Sequence, residues 1–196
     1  MALSYPLTFP TINGKTIVED LTMRLVQSAA VTTSSTSFAQ QVQDFGTARW
    51  EAEITIRPLD FDEARAFQAF LAALRGVAKT FYFGDPQQTY TSNVPVCTAT
   101  ASVGSHDISI ANSSNHVLKA GSHVSIFSRL YVVLEDAPAN ATTSCEIMPP
   151  LRQGISSQAL DVTYPSSIWR LASNDVEWRV GKESLHSFTL ACVEAI

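Results

Sequence analysis

The stretch Arg49-Trp-Glu-Ala-Glu-Ile-Thr-Ile-Arg57 alternates strictly between apolar and polar residues. Its apolar side chains fall on one face of an extended chain, and its charged side chains and one threonine fall on the other; the apolar set is Trp50, Ala52, Ile54 and Ile56. Because successive side chains of a β-strand point to opposite faces, this alternation predicts a half-buried antiparallel strand. We expect the strand to end at Pro58.

A short helix is predicted directly after this strand. Asp60 and Glu63 form a capping pair, since each can accept from a backbone N–H that the first turn leaves unbonded. From Phe61 to Arg75, apolar residues recur at three- and four-residue spacing, as one face of a helix requires; they are Phe67, Phe70, Leu71 and Leu74. Gly76 is the expected stop, because glycine readily takes the left-handed conformation that ends helices.

The remaining pattern is mostly that of strands. Lys79 to Phe83 predicts a strand that ends at the turn Gly84-Asp85-Pro86. Asn13-Gly14 predicts a hairpin turn. Thr22 to Thr36 is expected to be a strand, followed by a polar connection from Phe38 to Phe45 that carries isolated large apolar groups and is a plausible contact arm.

Between Val94 and Pro150, Ser, Thr, Ala and Asn dominate, and short alternating runs predict a small β module. These runs are 107–111, 123–127 and 130–134. Heavier, more aromatic strands are expected afterwards, at 159–164, 176–180 and 187–194, with Trp169 and Trp178 as core anchors. We therefore predict a mainly β fold with one short α-helix, in which a discontinuous domain (1–93 and 151–196) is interrupted by a module at 94–150.

Bulk composition excludes several classes of protein. The 196 residues are 45% hydrophobic and 16% charged, which is typical of a folded globular chain. A net charge of −5 without a basic cluster argues against gripping nucleic acid through its phosphates. The N terminus does not resemble a signal peptide and no apolar run is long enough to span a bilayer, so we expect synthesis in a cytosol and no membrane insertion.

Cysteine usage fits a reducing compartment. Cys97, Cys145 and Cys192 are an odd number, and we expect all three to be reduced core residues. A Cys97–Cys145 bridge is the alternative.

The sequence contains no convincing catalytic or metal-binding constellation. The four histidines, at 106, 116, 123 and 186, lack zinc-protease spacing and cysteine partners, although the first three could converge. Ser105, His106 and Asp107 are adjacent in sequence, where a catalytic relay is hard to form, so they indicate a turn. Asp60, Asp62 and Glu63 are explained by the helix start. Phosphate-binding glycine motifs are absent. We predict no enzyme, no cofactor and no metal site.

The order of short motifs resembles the small distal tail or minor tail proteins of long-tailed bacteriophages. The first block of motifs contains Trp50, Pro58-Leu59, Glu63-Ala64, Phe70-Leu71, Leu74-Arg75-Gly76, Thr80-Phe81 and Gly84-Asp85-Pro86. The second contains Gly121, Leu130-Tyr131, Pro149-Pro150-Leu151-Arg152, Pro165, Trp169-Arg170-Leu171 and Glu194-Ala195. The resemblance is weakest over 1–45 and 94–120, so no interface residue is carried over in those ranges.

The resemblance implies a virion protein at the distal end of the tail. Proteins of this family form a ring, usually of six subunits, that joins the tail tube to the hub, tip or baseplate. Their main domain is related to the tube subunit, a β-barrel or sandwich flanked by a helix. The implied partners are further copies of the chain, the tube protein and the hub or tip protein, with the tape-measure and peripheral tail proteins as further candidates. DNA would pass through the ring without specific binding.

Two hypotheses about parts of the chain follow. We expect Thr22–Thr36 and Phe38–Phe45 to contribute to contacts with neighbouring subunits or rings. The module at 94–150 is expected to face outward and support peripheral tail parts; the alternative function is a carbohydrate- or host-surface-binding module. A cell-wall-degrading enzyme is the third reading, and visible paired carboxylates or a metal set would be needed to support it.

Overall fold

A computed structural model describes residues 3–12, 14–88, 90–181 and 185–196. The chain is mainly β, and its described residues contain one short α-helix. Its strands are β1 Leu7–Thr8, β2 Thr11–Ile12, β3 Lys15–Thr16, β4 Val18–Thr33, β5 Gln40–Leu59, β6 Phe81–Phe83, β7 Cys97–Ala101, β8 Asp107–Asn112, β9 His123–Ile126, β10 Arg129–Val133, β11 Ala141–Met148, β12 Ile155–Ala159, β13 Ser167–Leu171, β14 Trp178–Val180 and β15 His186–Glu194.

The first sheet contains seven strands. Their order is β1-β6-β13-β15-β5-β4, and β14 pairs with β15 beyond the end of β13. All pairs are antiparallel except β1 with β6. A small separate hairpin joins β2 to β3; Asn13, half of its predicted turn, lies outside the described residues.

The alternating stretch that opens the sequence forms the centre of this sheet. Its four apolar residues are all buried, as predicted, and Ile54 and Ile56 are almost inaccessible. The strand does not end at Pro58, however, and continues to Leu59. A register shift opposite Ser187 accommodates the proline, because a bulge leaves room for a residue without an N–H group.

Helix α1, Phe61–Leu74, covers one face of the first sheet. Asp60 accepts from the N–H of Glu63 at 2.9 Å and Glu63 accepts from Asp60, so the predicted capping pair is confirmed. The predicted apolar face is buried. Arg75, with φ of 51°, already takes the left-handed conformation, and Gly76 opens a short 3₁₀ helix to Ala78. The following strand therefore begins at Phe81 and not at Lys79.

The second sheet has six strands and forms a small barrel that is bridged at a single position. Its order is β12-β7-β8-β11-β10-β9, and backbone hydrogen bonds in both directions between Ser125 and Asp161 connect β9 to the chain just after β12. A separate cluster of buried residues fills it, including Ile108, Ile110 and Tyr131.

The barrel extends beyond the predicted end of the module. The predicted runs at 107–111, 123–127 and 130–134 correspond to β8, β9 and β10, but β12, Ile155–Ala159, also belongs to this sheet. A boundary at Pro150 therefore leaves out one of its strands. The expected strand at 159–164 is wrong, because Asp161 instead caps a turn by accepting from the N–H groups of Thr163 and Tyr164.

Two further expectations need correction. Gln40 to Phe45 is not a connection, since it is the first part of β5 and pairs with β4; the turn between the strands is only 34–39. Trp169 is fully buried and donates to the carbonyl of Phe83, whereas Trp178 is 46% exposed and is not a core anchor. In the described residues, no helix is long and apolar enough to cross a membrane.

All three cysteines are free and buried. Burial raises the pKa of the Cys97 thiol to about 11 and that of Cys192 to about 12. Because the thiolate is the reactive form, we expect an aromatic disulfide reagent to modify none of the three in the native protein within minutes and all three after denaturation. Rapid reaction of one thiol in the native state would contradict this packing.

Candidate functional site

The structure does not bring the predicted chemical candidates together. His106 precedes β8, His116 lies in a loop, His123 is in β9 and His186 is in β15. Across the described ranges, no group of three His, Cys, Asp or Glu side chains is placed to hold a metal ion. Ser105 donates through its hydroxyl to the backbone oxygen of Asp107, which is the geometry of a turn.

The carboxylates near the helix have structural partners. Glu63 accepts two hydrogen bonds from Arg57, at 2.8 and 3.0 Å, and the hydrogen bond from Arg57 is the main cause of a lowered pKa for Glu63. Asp62 pairs with Arg65 on the exposed face of the helix. Asp85 accepts from the N–H of Gln87 at 2.8 Å, as the predicted turn requires.

Two strand edges of the first sheet are available for pairing with another chain. β4 is the last strand of the first sheet and pairs only with β5 among the described residues. β14 likewise pairs only with β15 in that part of the chain. Among the described residues, most backbone N–H and C=O groups on these outer edges have no partner, although the N–H groups of Val18 and Leu21 donate to the side chains of Thr16 and Asp20. Such edges readily pair with another chain.

At one end of the first sheet, four strands lie side by side, and the open edges of β14 and β4 are the two outer edges of this group. Trp178 lies opposite Phe188, Phe188 opposite Ile56, and Ile56 opposite Val18, so this row crosses β14, β15, β5 and β4 in that order. Since neighbouring strands are antiparallel, β14 and β4 run in opposite directions. The β1 edge at the other side of the sheet is different, because it has two residues and is flanked by Pro6 and Pro10, which cannot donate.

Beyond the part of the first sheet that packs on the core, β4 and β5 continue as a projecting two-stranded ribbon. We call this ribbon, residues 26–47, the arm. Pairing runs from Val26 with Arg49 to Thr33 with Gln40, so the paired part extends about 25 Å at the rise of a β-strand. A bulge containing Phe45 and Gly46 interrupts it where Ser28 is followed by Ala29. Every residue of the arm is exposed.

The arm extends the core-facing side of the sheet into solvent. By strand alternation, Val31 and Val42 lie on the same face as Leu21, Met23 and Leu25, which pack against the core lower down. Val31 and Val42 are paired directly and are 59% and 62% exposed. This face is therefore apolar without being covered.

A buried ion pair joins the first sheet to the barrel. Arg152 Nη2 donates at 2.9 Å both to Glu194 Oε2 and to the backbone oxygen of Ala48. Glu194 also accepts from the N–H of Trp50, and its side chain is fully inaccessible. Trp50 in turn donates through its indole N–H to the carbonyl of Leu130 in the barrel. Breaking this pair would leave a charge buried between the two sheets.

A cleft of about 430 Å³ opens beside this junction. It is lined by carboxylates from Glu19, Asp20 and Asp85, together with Trp50 and His123. The rings of Trp50 and His123 meet edge to face at 5.6 Å, and the buried His123 Nδ1 has no hydrogen-bond partner among the described residues. Burial lowers the pKa of His123, and the charge of Asp85 only partly opposes that shift.

Acid should weaken the fold through His123. A histidine whose folded pKa is lowered is neutral in the folded state while the unfolded chain takes up a proton near 6.5, so its contribution to stability is lost as the pH falls below that value. We expect His123→Gln to flatten the acid side of the stability profile in urea unfolding more than His116→Gln, a substitution outside the cleft. Equal slopes in the parent and His123→Gln would contradict this.

Comparison with known proteins does not add a family to these observations. No protein-family model matches the chain, and no curated protein matches it.

Sequence reasoning identified some of these features and missed others. The two ranges in which it predicted contacts, 22–36 and 38–45, overlap the arm, and the contacts themselves stay a prediction. Arg152 and Glu194 appeared only as motif residues, and their 42-residue separation gave no sign that they pair. The open edge of β14 left no signal in sequence, because an edge is defined by which strands are absent beside it.

Proposed function

We propose that this chain is a structural, non-enzymatic protein of a long-tailed phage, which forms a ring at the distal end of the tail. The observation that carries the proposal is the four-stranded end of the first sheet, which has an open edge on each side. A ring needs heterologous contacts, in which one face of a subunit meets a different face of the next. Two different open edges on one sheet meet that requirement.

The strand directions suit such a ring. Because β14 and β4 are antiparallel within one subunit, a head-to-tail arrangement places β4 of one copy antiparallel to β14 of the next. The first residue of β4, Val18, lies in the same row as Trp178 of β14. One continuous antiparallel sheet would then run around the ring.

The resemblance of the sequence to distal tail proteins supplies the setting. On that basis we assign the protein to the virion, as a hexameric ring between the tail tube protein and the hub or tip protein, with the tape-measure protein and peripheral tail proteins as further neighbours. DNA would cross the central channel without specific binding, and the net charge of −5 is favourable for a wall that does not retain it.

Light scattering on the purified chain over a range of concentrations, with negative-stain images of each species, tests the proposal. Six-fold rings with a central hole are the expected result. A dimer that binds a glycan array would instead support the carbohydrate-binding alternative, and cleavage of peptidoglycan in a gel would support an enzyme. A strictly monomeric chain that also fails to form rings when mixed with tail tube and hub proteins would overturn the ring.

A further inference from the structure

The arm is a two-stranded ribbon that lacks a core of its own. Two-stranded hairpins are at best marginally stable in water, and stable sheets need more strands or a covered face. The arm nevertheless carries five exposed large apolar side chains, and these are Val26, Val31, Phe38, Val42 and Phe45. Its open edge and its apolar face both indicate that another strand completes it.

The charge pattern restricts what that strand can be. From Leu25 to Gln43 the chain contains no charged residue, no histidine and no proline. These are the residue types with which proteins normally protect exposed edges, so the arm has none of the usual protection over this length. A strand that is likewise uncharged over a similar length meets no like charge and no desolvated charge on this edge.

The orientation of the backbone groups can be assigned from the turn. The N–H of Ser34 donates to the carbonyl of Ala39, so Ser34 faces β5. Because residues alternate along an antiparallel ladder, Ala29, Val31 and Thr33 direct their N–H and C=O groups to the open edge.

A comparison of strand lengths indicates which strand pairs with the open edge of the arm. β1 has two residues and β14 has three, whereas the arm offers the eight residues from Val26 to Thr33. Within the first sheet, β4 is thus the open edge of matching length among the described strands. It is also uncharged over these residues, and an antiparallel pairing of a strand with itself needs no second kind of edge.

We propose that the arm of one copy pairs antiparallel with the arm of a second copy, β4 against β4, about a two-fold axis at Ala29 or Ala30. The axis falls there because these residues are the centre of the open edge. Each turn then lies at the base of the other arm, and the Val31 and Val42 pairs of both copies lie on the same face of one four-stranded sheet.

This pairing does not depend on the ring. The ring would use the basal part of β4, whereas arm pairing uses residues 26–33, so one strand can make both contacts. In the absence of a ring, arm pairing alone gives a dimer.

Single cysteines placed in the full-length chain test the axis. The native cysteines are buried, so Ala29→Cys and Ala30→Cys introduce the reactive thiols. Directly opposed residues of an antiparallel pair have Cα atoms about 4.5 to 5.5 Å apart, which suits a disulfide. We expect one of the two variants to form a covalent dimer on mild oxidation, whereas Thr22→Cys, an exposed control on the same strand, does not.

The cross-linking position is then replaced by Asp in one preparation and by Lys in another. Each variant alone should lose the arm contact in light scattering, because like charges would face each other across the axis, and a mixture should regain it. Failure of both cysteine variants to cross-link, equal cross-linking by Thr22→Cys, or failure of the mixture would overturn the pairing. If rings form but the arms do not cross-link, the arm pairing is wrong and the proposed ring stands. If dimers cross-link but no rings form, the proposed ring is wrong and the arm pairing stands.

Discussion

Replacing Val180 by proline should abolish ring formation while leaving the folded subunit intact. Gly181 donates its N–H to the carbonyl of Leu185, so it faces β15; by alternation, Val180 directs its own N–H to the open edge of β14. Proline has no N–H group, so it removes a donor that the neighbouring β4 would need. Within the subunit, no pairing with β15 depends on that donor.

The matched control is Val180→Thr, which keeps the N–H and a β-branched side chain. Negative-stain images should show rings for this control and only monomers or arm-paired dimers for Val180→Pro, with similar urea midpoints for both. Rings formed equally well by Val180→Pro would remove the β14 edge from the contact. A lower midpoint for the proline variant would show that β14 itself had been disrupted, and the charge variant Val180→Asp would then replace it in the same comparison.

Replacing Arg152 by methionine should cause the largest loss of stability. The change leaves the inaccessible carboxylate of Glu194 without its cation and removes the hydrogen bond to Ala48. Removing one partner of a buried ion pair typically costs about 3 to 5 kcal/mol. We expect a loss of that order in the free energy of unfolding, measured by urea denaturation followed by tryptophan fluorescence.

Two further variants separate the ion pair from general effects of mutation. Arg49→Met removes an ion pair with Glu51 in which the arginine side chain is 52% exposed, and it should cost under about 1 kcal/mol. Combining Arg152→Met with Glu194→Leu removes both charges and should recover much of the stability, since an apolar pair can replace a buried ion pair. If Arg152→Met costs no more than Arg49→Met, the pair does not hold the sheet to the barrel.

The Arg152–Glu194 pair and the open strand edges have different roles, one within the subunit and one between subunits. The Arg152–Glu194 pair fixes the barrel to the first sheet inside one subunit, whereas the β4 and β14 edges are the contacts proposed between subunits. A variant that unfolds the junction and a variant that opens the ring therefore give different results in the same two measurements, unfolding and imaging.

The sequence by itself determined the parts of this protein whose signals are local. The alternation from Arg49 to Arg57 predicted which face of β5 is buried, because side chains of a strand must alternate between core and solvent. Asp60 and Glu63 predicted the start of the helix, since capping involves residues only three positions apart.

Only the tertiary structure decided the length of the arm, the membership of the barrel and the position of the open edges. Gln40 to Phe45 lacks a periodic pattern because this part of β5 covers no core, and its pairing with β4 had to be seen. Ile155–Ala159 joins the barrel through a strand more than 50 positions earlier in the chain. Pairing between distant segments depends on the order of the strands in space, and that order is not encoded in any short window of the sequence.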